Sequence, residues 1–189
     1  RTEEGFKKGI QCFNQAIERD PRFALAYVGL ADCYIMFGGG SSLAPRDAYP
    51  QAKAAAKKAL ELDENLAEAH NSLAFVSTVY DWNWQEAEKE FKRAIALNPN
   101  YATAHVWHSQ YLYSMGRFEE GLLECNRARE LEPLSLNINT NTGLHYYFAR
   151  QYEQAAKQLI ATLEMDPSFA QAHYLLGFVY LHKPTLGDA

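Results

Sequence analysis

The residues most able to do chemistry are the six histidines, two of which stand close together in the sequence. His105 and His108 are three positions apart, so in a helix they lie on one face and present two imidazoles to a metal ion. The spacing places no third ligand beside them, and we predict no metal site. His70, His105 and His173 each follow an alanine, and we interpret them as packing residues with one ring nitrogen hydrogen-bonded.

No catalytic constellation follows from the other polar residues. Carboxylates alternate with lysine and arginine over residues 86–93, which is typical of a solvated helix face with i,i+4 ion pairs. The glycine- and serine-rich insertion at residues 38–45 lacks the Lys-Ser/Thr ending and the preceding strand of a phosphate-binding loop, so we predict a flexible turn there. We therefore predict no enzymatic activity, no catalytic residue and no cofactor.

The elements that hold these residues repeat along the chain. From Pro99 to Pro133 and from Pro133 to Pro167 the step is 34 residues. An aromatic residue stands three positions before a small residue five times: Phe6/Gly9, Tyr49/Ala52, Trp84/Ala87, Phe118/Gly121 and Tyr152/Ala155. Each unit contains two helical runs that are too short to be stable alone and must pack on each other. Self-similarity at this period predicts a helical solenoid.

This pattern resembles the tetratricopeptide repeat. The residues that carry the resemblance are Tyr27, Leu30, Ala31 and Tyr34 in one first helix, His173, Leu176, Gly177 and Tyr180 in another, and Phe13 and Phe91 in second helices. The central unit departs from the pattern, with His108 and Ser109 where Leu-Gly is usual. The resemblance covers nearly the whole chain and implies an all-α fold, a right-handed superhelix of antiparallel helix pairs.

We predict one solenoid domain over residues 1–189. Its parts are an unpaired second helix at 2–22, repeats at 24–66, 67–101, 102–135 and 136–169, and an unpaired first helix at 170–183. In the first of these repeats the second helix is predicted at 51–62. Trp84 occupies the aromatic position of its repeat and is predicted to lie in the core. Trp82 either packs on a neighbour or is an exposed recognition aromatic, and we predict packing because large aromatic side chains usually bury their area.

Charge and cysteine content limit the class of protein. The chain has 18 lysines and arginines against 23 aspartates and glutamates, a net charge of −5, which argues against binding nucleic-acid phosphates. Its three cysteines form no C-x-x-C pair, which indicates reduced thiols and a cytoplasmic protein. No apolar run reaches membrane-spanning length. The chain begins within a helical run, and we predict that it is part of a larger protein.

The resemblance also implies where a partner binds. In tetratricopeptide solenoids the first helices line a concave groove. The residues predicted to face a partner there are Val28, Asp32, Asn71, Phe75, Val106, Gln110, Tyr113, Asn137, Thr140, Leu144, Tyr147, Tyr174 and Phe178. None is Lys or Arg, and the groove's only charges are Asp32 and Glu68. The basic clamp with which some members of the family capture a chaperone's C-terminal carboxylate is therefore missing.

Two functions fit such a groove. The first is a non-catalytic scaffold that binds a peptide or helix of a partner protein in a near-neutral, aromatic and amide-rich groove. The alternative is a regulatory domain that binds a small effector there. An RNA-binding repeat is disfavoured because phosphates require basic residues. The segments 48–53 and 81–84 are similar to tetratricopeptide regions of bacterial multidomain signalling proteins, so we expect a module of a larger signalling protein.

The ends of the predicted solenoid generate a first prediction. The last helix carries Tyr174, Leu175, Phe178, Val179 and Leu181, and leaving such a face in water costs about 25 cal/mol per Å² of apolar area. The chain should therefore either self-associate through an end or cover the last helix with residues 183–189. We predict self-association, because that segment is short and contains Pro184 and Gly187, and we expect a molecular mass by light scattering that rises with concentration. Phe178→Glu should reduce that rise. A strict monomer at high concentration that Phe178→Glu leaves unchanged would contradict this expectation.

Overall fold

The structure is a computed structural model that describes residues 3–39 and 43–182. All regular elements in these ranges are α-helices: α1 (Glu3–Arg19), α2 (Ala24–Gly39), α3 (Pro45–Leu62), α4 (Ala67–Val79), α5 (Trp84–Leu97), α6 (Ala102–Ser114), α7 (Phe118–Leu131), α8 (Leu136–Phe148), α9 (Tyr152–Met165) and α10 (Ala170–His182). The five predicted first helices, α2, α4, α6, α8 and α10, begin where the repeat pattern places them. The all-α prediction is confirmed.

The chain divides into two compact units, residues 1–99 and residues 100–189. The first unit contains α1 to α5 and the second contains α6 to α10. Within each unit, consecutive helices pack on each other, and each first helix also contacts the next first helix. Short connections of three to five residues make the paired helices antiparallel. The single domain over residues 1–189 stays a prediction.

Small residues let the two helices of a repeat approach closely. A Cβ on Gly143 of α8 would lie 2.7 Å from Cγ and Cδ2 of Leu159 on α9, so the leucine fills the space that the glycine leaves. A Cβ on Gly121 of α7 would lie 3.1 Å from the carbonyl oxygen of Ser109 on α6. Leu159 is fully buried as a result, and it anchors a core cluster with Ala155 and Val179.

The turn between paired helices needs a left-handed residue. Gly116 lies two residues after the end of α6 and has φ +74°, and its successor Arg117 donates a backbone hydrogen bond of 2.9 Å to the carbonyl of Leu112. Arg150 occupies the same place after α8 with φ +59°, although its side chain disfavours that conformation. The repeat geometry therefore imposes the backbone conformation whether or not glycine is present.

The start of α3 differs from the prediction. The helix begins at Pro45 rather than at residue 51, because proline has the φ of a first helical position and needs no hydrogen-bonded N–H there. Gly38 and Gly39 also belong to α2, and a Cβ on Gly38 would lie 2.8 Å from Cβ of Ala48. Residues 38 and 39 of the predicted flexible turn are therefore helical, and residues 40–42 of that turn lie outside the described ranges.

The prediction for Trp82 is wrong. Its side chain is 68% exposed, and the residue has φ +55° in the turn before α5. It contacts Trp84 edge-to-face at 5.5 Å between ring centroids, and Trp84 is itself only half-buried. The left-handed turn directs Trp82 away from the neighbouring helices, so the packing that we expected for it does not form.

Gly143 and Gly177 occupy the same place in successive repeats and provide a matched test of close packing. Gly143→Ala should lower the free energy of unfolding by about 1–3 kcal/mol, since its Cβ would meet Leu159. Nothing lies within 4 Å of a Cβ on Gly177, so Gly177→Ala should raise stability by up to about 1 kcal/mol through helix propensity. Urea unfolding of both variants measures the difference, and equal effects would contradict the packing argument.

Candidate functional site

The predicted partner-binding residues divide into three groups by exposure. Two are exposed (Asn137 and Tyr174), seven are half-buried (Asp32, Phe75, Gln110, Tyr113, Leu144, Tyr147 and Phe178) and four are buried (Val28, Asn71, Val106 and Thr140). The nine accessible residues remain candidates for contact with a partner. All of these except Asp32 and Phe75 lie in the second unit, on its first helices α6, α8 and α10.

The four buried residues need a correction, because as placed they offer no surface to a partner. Val28 packs with Ala59 and Ala69, and Val106 packs with Ala128 and Ile138, so both valines belong to the core between helices. Asn71 and Thr140 are fully buried as well. The prediction used only the position of each residue within its helix. Position does not show how closely the neighbouring helices approach, and this is why core residues were counted as surface.

Aromatic side chains in the second unit form an accessible surface that we call the aromatic row: Tyr113, Tyr147, Phe148, Tyr174 and Phe178. The rings of Tyr113 and Phe148 stack with centroids 4.9 Å apart and planes 9° apart. Tyr147 contacts Phe148 edge-to-face at 5.4 Å. On α10, Tyr174 and Phe178 meet at 4.9 Å, and Tyr174 is 66% exposed. The rings brace one another within two groups, Tyr113 with Tyr147 and Phe148 and Tyr174 with Phe178, while keeping part of their area in water.

Phe148 was not among the predicted residues, although it joins Tyr113 to Tyr147. The groove was predicted from the second, fifth, ninth and twelfth residues of each first helix, and Phe148 is the last residue of the 13-residue helix α8. The signal that was available is the run Tyr146-Tyr147-Phe148, because three consecutive aromatic residues at a helix end cannot all face the core.

Amide side chains lie beside the aromatic row. Gln110 Nε2 on α6 donates to Asn141 Oδ1 on α8 at 3.2 Å, and Asn141 Nδ2 donates to the carbonyl of Asn137 at 2.9 Å. Gln110 and Asn141 are half-buried, and Asn137 is exposed. Asn141 was also missing from the predicted set. The pair adds donors and acceptors suited to the backbone of a bound segment.

Asp32 is the charged member of the predicted set, and it lies in the first unit. Its carboxylate accepts a hydrogen bond of 2.6 Å from Ser72 Oγ on α4. Burial raises the pKa of Asp32 to about 6, although the Ser72 hydrogen bond lowers it, and the nearby charge of Glu68 raises it further. Near neutral pH the ionised carboxylate is therefore held at a cost in folding free energy.

Helix α5 holds a buried carboxylate, which corrects the prediction of a purely solvated face at residues 86–93. Glu90 of α5 is only 5% exposed, and its carboxylate pairs with His70 Nδ1 of α4. His70 Nε2 lies 3.0 Å from the carbonyl oxygen of Glu64. Burial opposes protonation of His70, but Glu90 and the Glu64 carbonyl outweigh it and raise the pKa of the imidazole. The hydrogen bond from His70 lowers the pKa of Glu90 against its burial.

The two histidines considered as metal ligands share one carboxylate instead. His105 Nδ1 lies 2.5 Å from Glu124 Oε2, and His108 Nδ1 lies 3.3 Å from Glu124 Oε1. Burial would raise the pKa of Glu124, but the two histidines outweigh it and lower the pKa to about 2. Over the described ranges no three His, Cys, Asp or Glu side chains are arranged to hold a metal ion. The cluster ties α6 to α7.

The described helices include none that is both long and apolar enough to cross a membrane.

Comparison with known proteins agrees with this architecture. The sequence profile of the tetratricopeptide repeat matches residues 81–135 and 140–189. The transcriptional regulator HilA of Salmonella typhimurium is 26% identical over 132 residues, which is 70% of this chain and 24% of HilA. The chain thus spans about a quarter of the length of that relative.

Solved structures show the same fold. YrrB, described as a TPR protein with an unusual peptide-binding site, superposes with a TM-score of 0.60 at 24% identity, over 90% of this chain and 83% of YrrB. TTC0263, a TPR protein of Thermus thermophilus, gives a TM-score of 0.78 at 17% identity, over 93% of this chain and 91% of TTC0263. At these identities the likeness describes the fold alone.

The raised pKa of Asp32 predicts that replacing its carboxyl group increases the stability of the fold, by an amount that depends on pH. Ionisation costs the folded state nothing below the ordinary pKa of 3.8, and the full cost is present above about pH 6. Asp32→Asn should therefore raise the free energy of unfolding by on the order of 1–2 kcal/mol at pH 7 and by little at pH 4. Denaturant unfolding at the two pH values measures this.

The control is Asp47→Asn, on the exposed surface of α3, which should change stability by about 0.5 kcal/mol or less at pH 7. A gain from Asp32→Asn that is as large at pH 4 as at pH 7 would contradict the assignment of a half-buried carboxylate whose ionisation is unfavourable in the folded state.

Proposed function

Because the chain belongs to the tetratricopeptide repeat family, we propose that it is a non-catalytic scaffold that binds a segment of a partner protein on its aromatic row. The fold of this family is a protein-interaction scaffold, and that much holds for this chain. The finer proposal is that the partner presents apolar side chains in an extended or helical segment. The observation that carries it is the stacked, partly exposed set of rings on α6, α8 and α10.

The exposed area of the aromatic row favours a partner segment with apolar side chains. Tyrosine and phenylalanine bury large areas on binding and lose few rotatable bonds, and exposed tyrosines dominate many interfaces. Tyr174 leaves two-thirds of its side chain in water, although it contacts Phe178. The neighbouring amide pair of Gln110 and Asn141 supplies hydrogen bonds to a partner's backbone. Apolar contact therefore supplies the binding energy, and the amides orient the segment.

Charge argues against an acidic partner segment. None of the helices α2, α4, α6, α8 and α10 contains lysine or arginine. A C-terminal carboxylate bound there would lose water without gaining a cationic partner, and that loss is expensive. The partner segment is therefore neutral or weakly basic, and it is recognised along its length rather than by its terminus.

A regulatory setting completes the proposal. HilA is a transcriptional regulator of which this chain matches about a quarter, and the sequence resembles tetratricopeptide regions of bacterial signalling proteins. We place the chain in the cytoplasm as an interaction module of a larger signalling protein. In that setting the bound segment determines when an attached domain acts.

A peptide selection tests the proposal. Peptides selected from a random displayed library against the purified chain should be rich in apolar and aromatic residues. Isothermal titration should show at least tenfold weaker binding to Tyr113→Ala and to Tyr174→Ala, because exposed anchor rings carry much of the energy of such contacts. Leu123→Ala is the matched control: Leu123 is 70% exposed on α7, outside the row, and its removal should leave affinity unchanged.

An acidic C-terminal peptide of the chaperone type is the negative control and should not bind measurably. Micromolar binding of that peptide would overturn the proposal. So would selected peptides that bind Tyr113→Ala and Tyr174→Ala as tightly as the unchanged protein. A small metabolite that raises the melting temperature, with the rise lost in Tyr174→Ala, would favour an effector-binding domain instead.

A further inference from the structure

Two carboxylates of the first unit stand on neighbouring first helices without a cationic partner. Asp32 of α2 and Glu68 of α4 are both half-buried, and among the described residues neither forms an ion pair. Every other buried or half-buried carboxylate in the described part of this unit pairs with a lysine or a histidine: Asp81, Glu86, Glu88 and Glu90. A carboxylate that loses water normally gains a cation, so Asp32 and Glu68 are exceptions that need an explanation.

The hydroxyl of Ser72 brings the two carboxylates together. Ser72 Oγ lies 2.6 Å from Asp32 Oδ1 and 3.0 Å from the carbonyl oxygen of Glu68, one turn earlier in α4. Asp32 is therefore held beside the first turn of α4, on which Glu68 stands. Burial raises the pKa of Asp32, the Ser72 hydrogen bond lowers it, and the charge of Glu68 raises it further. The two carboxylates thus repel each other, and a cation between them would remove the repulsion.

The second unit contains a neutral version of this arrangement. In both units a hydrogen bond joins the ninth residue of one first helix to the sixth residue of the next first helix. In the first unit the pair is Asp32 of α2 and Ser72 of α4. In the second unit it is Gln110 Nε2 of α6 and Asn141 Oδ1 of α8, 3.2 Å apart. The repeat therefore accepts neutral amides at this place, so the helices do not need a carboxylate there in order to pack.

A buried amide beside the two carboxylates also lacks a partner. Asn71 follows Glu68 by three residues on α4, so the two side chains lie on one face of that helix. Asn71 is fully buried, and in the described part of the chain neither its Oδ1 nor its Nδ2 has a hydrogen-bond partner. Buried amides are normally hydrogen-bonded. The unpaired Asn71 oxygen therefore points to a donor that the described part of the chain does not supply.

We propose that Asp32, Glu68 and Asn71 form an acidic site that binds the guanidinium group of an arginine in a partner protein. Arginine supplies five N–H donors in one plane, which is enough to meet two carboxylates and an amide oxygen together. Phe75 is half-buried one turn beyond Asn71 on α4, and it adds aromatic area beside the site. Lysine suits the site less well, because its ammonium group is a compact and strongly hydrated charge.

The surroundings favour a basic protein segment over a metal ion. Helices α2 and α4 contain no lysine or arginine, so no cation on them competes for the site. Over the described ranges no three His, Cys, Asp or Glu side chains are arranged to hold a metal ion. The inference rests on the proposed function in one respect, that the ligand is a protein segment. It uses first helices of the first unit, whereas the aromatic row belongs to the second unit.

Peptides that differ in a single side chain test the acidic site. The probe is acetyl-Ala-Ala-Arg-Ala-Ala-amide, titrated into the isotope-labelled chain and followed by NMR. It should shift the backbone amide signals of α2 and α4 around the site and saturate with a Kd on the order of millimolar, as expected for one side chain. Citrulline has the shape of arginine without the charge, and in its place binding should be at least about tenfold weaker. Lysine should weaken binding about threefold.

Variants of the chain locate the contact. Asp32→Asn should weaken binding of the arginine peptide about tenfold and Glu68→Gln about fivefold. Asp32→Gln combined with Glu68→Asn copies the residues at the equivalent positions of the second unit, so this variant should fold and should no longer distinguish arginine from citrulline. Asp47→Asn removes the same charge from the exposed surface of α3 and should leave the affinity unchanged. Tyr113→Ala, in the aromatic row, should also leave it unchanged.

Several results would overturn the acidic site. They are an absence of saturable binding, equal binding of the citrulline and arginine peptides, and binding that neither Asp32→Asn nor Glu68→Gln weakens. Shifts that sodium chloride or calcium chloride reproduces at equal charge would show counterion binding only. Arginine binding that is lost in Tyr113→Ala but kept in Asp32→Asn would place the arginine on the aromatic row instead. Because Tyr113→Ala tests that row separately, failure of the acidic site and failure of the proposed function are distinguishable.

Discussion

The close approach of two helices at small side chains is the constraint on which this chain depends. Helices of 13 to 18 residues are marginal in water, so each is stable only because it packs on its neighbours. Gly143 and Leu159 show how this works, since the leucine occupies the volume that a Cβ would fill. This packing of a large side chain on a small one recurs along each unit, and the recurrence is why a period of 34 residues is visible in the sequence.

Much of the fold could be predicted from that period, because close packing requires small residues at regular positions and these are visible in the sequence. The starts of all five first helices were predicted from it, and they agree with the structure. The prediction failed where local conformation overrode the pattern. Pro45 begins α3 early, since proline suits a first helical position, and the left-handed conformation of Trp82 turns its ring outward. Neither effect is periodic, so neither could be read from repeats.

The candidate site was predicted less well than the fold. Position within a helix indicates direction but does not report how near the next helix lies, and so Val28 and Val106 were counted as surface although they are core. Phe148 and Asn141 were missed because they lie outside the expected positions. His70 and His105 were read correctly as packing residues, whereas His173 is exposed. Glu90, the partner of His70, was wrongly assigned to a solvated face. Pairing across a repeat depends on three-dimensional register, which alternation of charges does not encode.

These buried pairs explain how the surfaces of the first helices become available for binding. A buried carboxylate that faces a histidine is costly to leave unpaired, so each pair discriminates against a wrong helix at that position. Helix pairing uses one side of α6, α8 and α10, and on the other side Tyr147 still packs in part against the core cluster around Leu159. Tyr113, Tyr147 and Phe148 brace one another there, and rings that are already ordered lose little entropy when a partner binds. Tyr174 keeps two-thirds of its side chain in water although it contacts Phe178, and this exposure is why we propose it as an anchor for a partner segment.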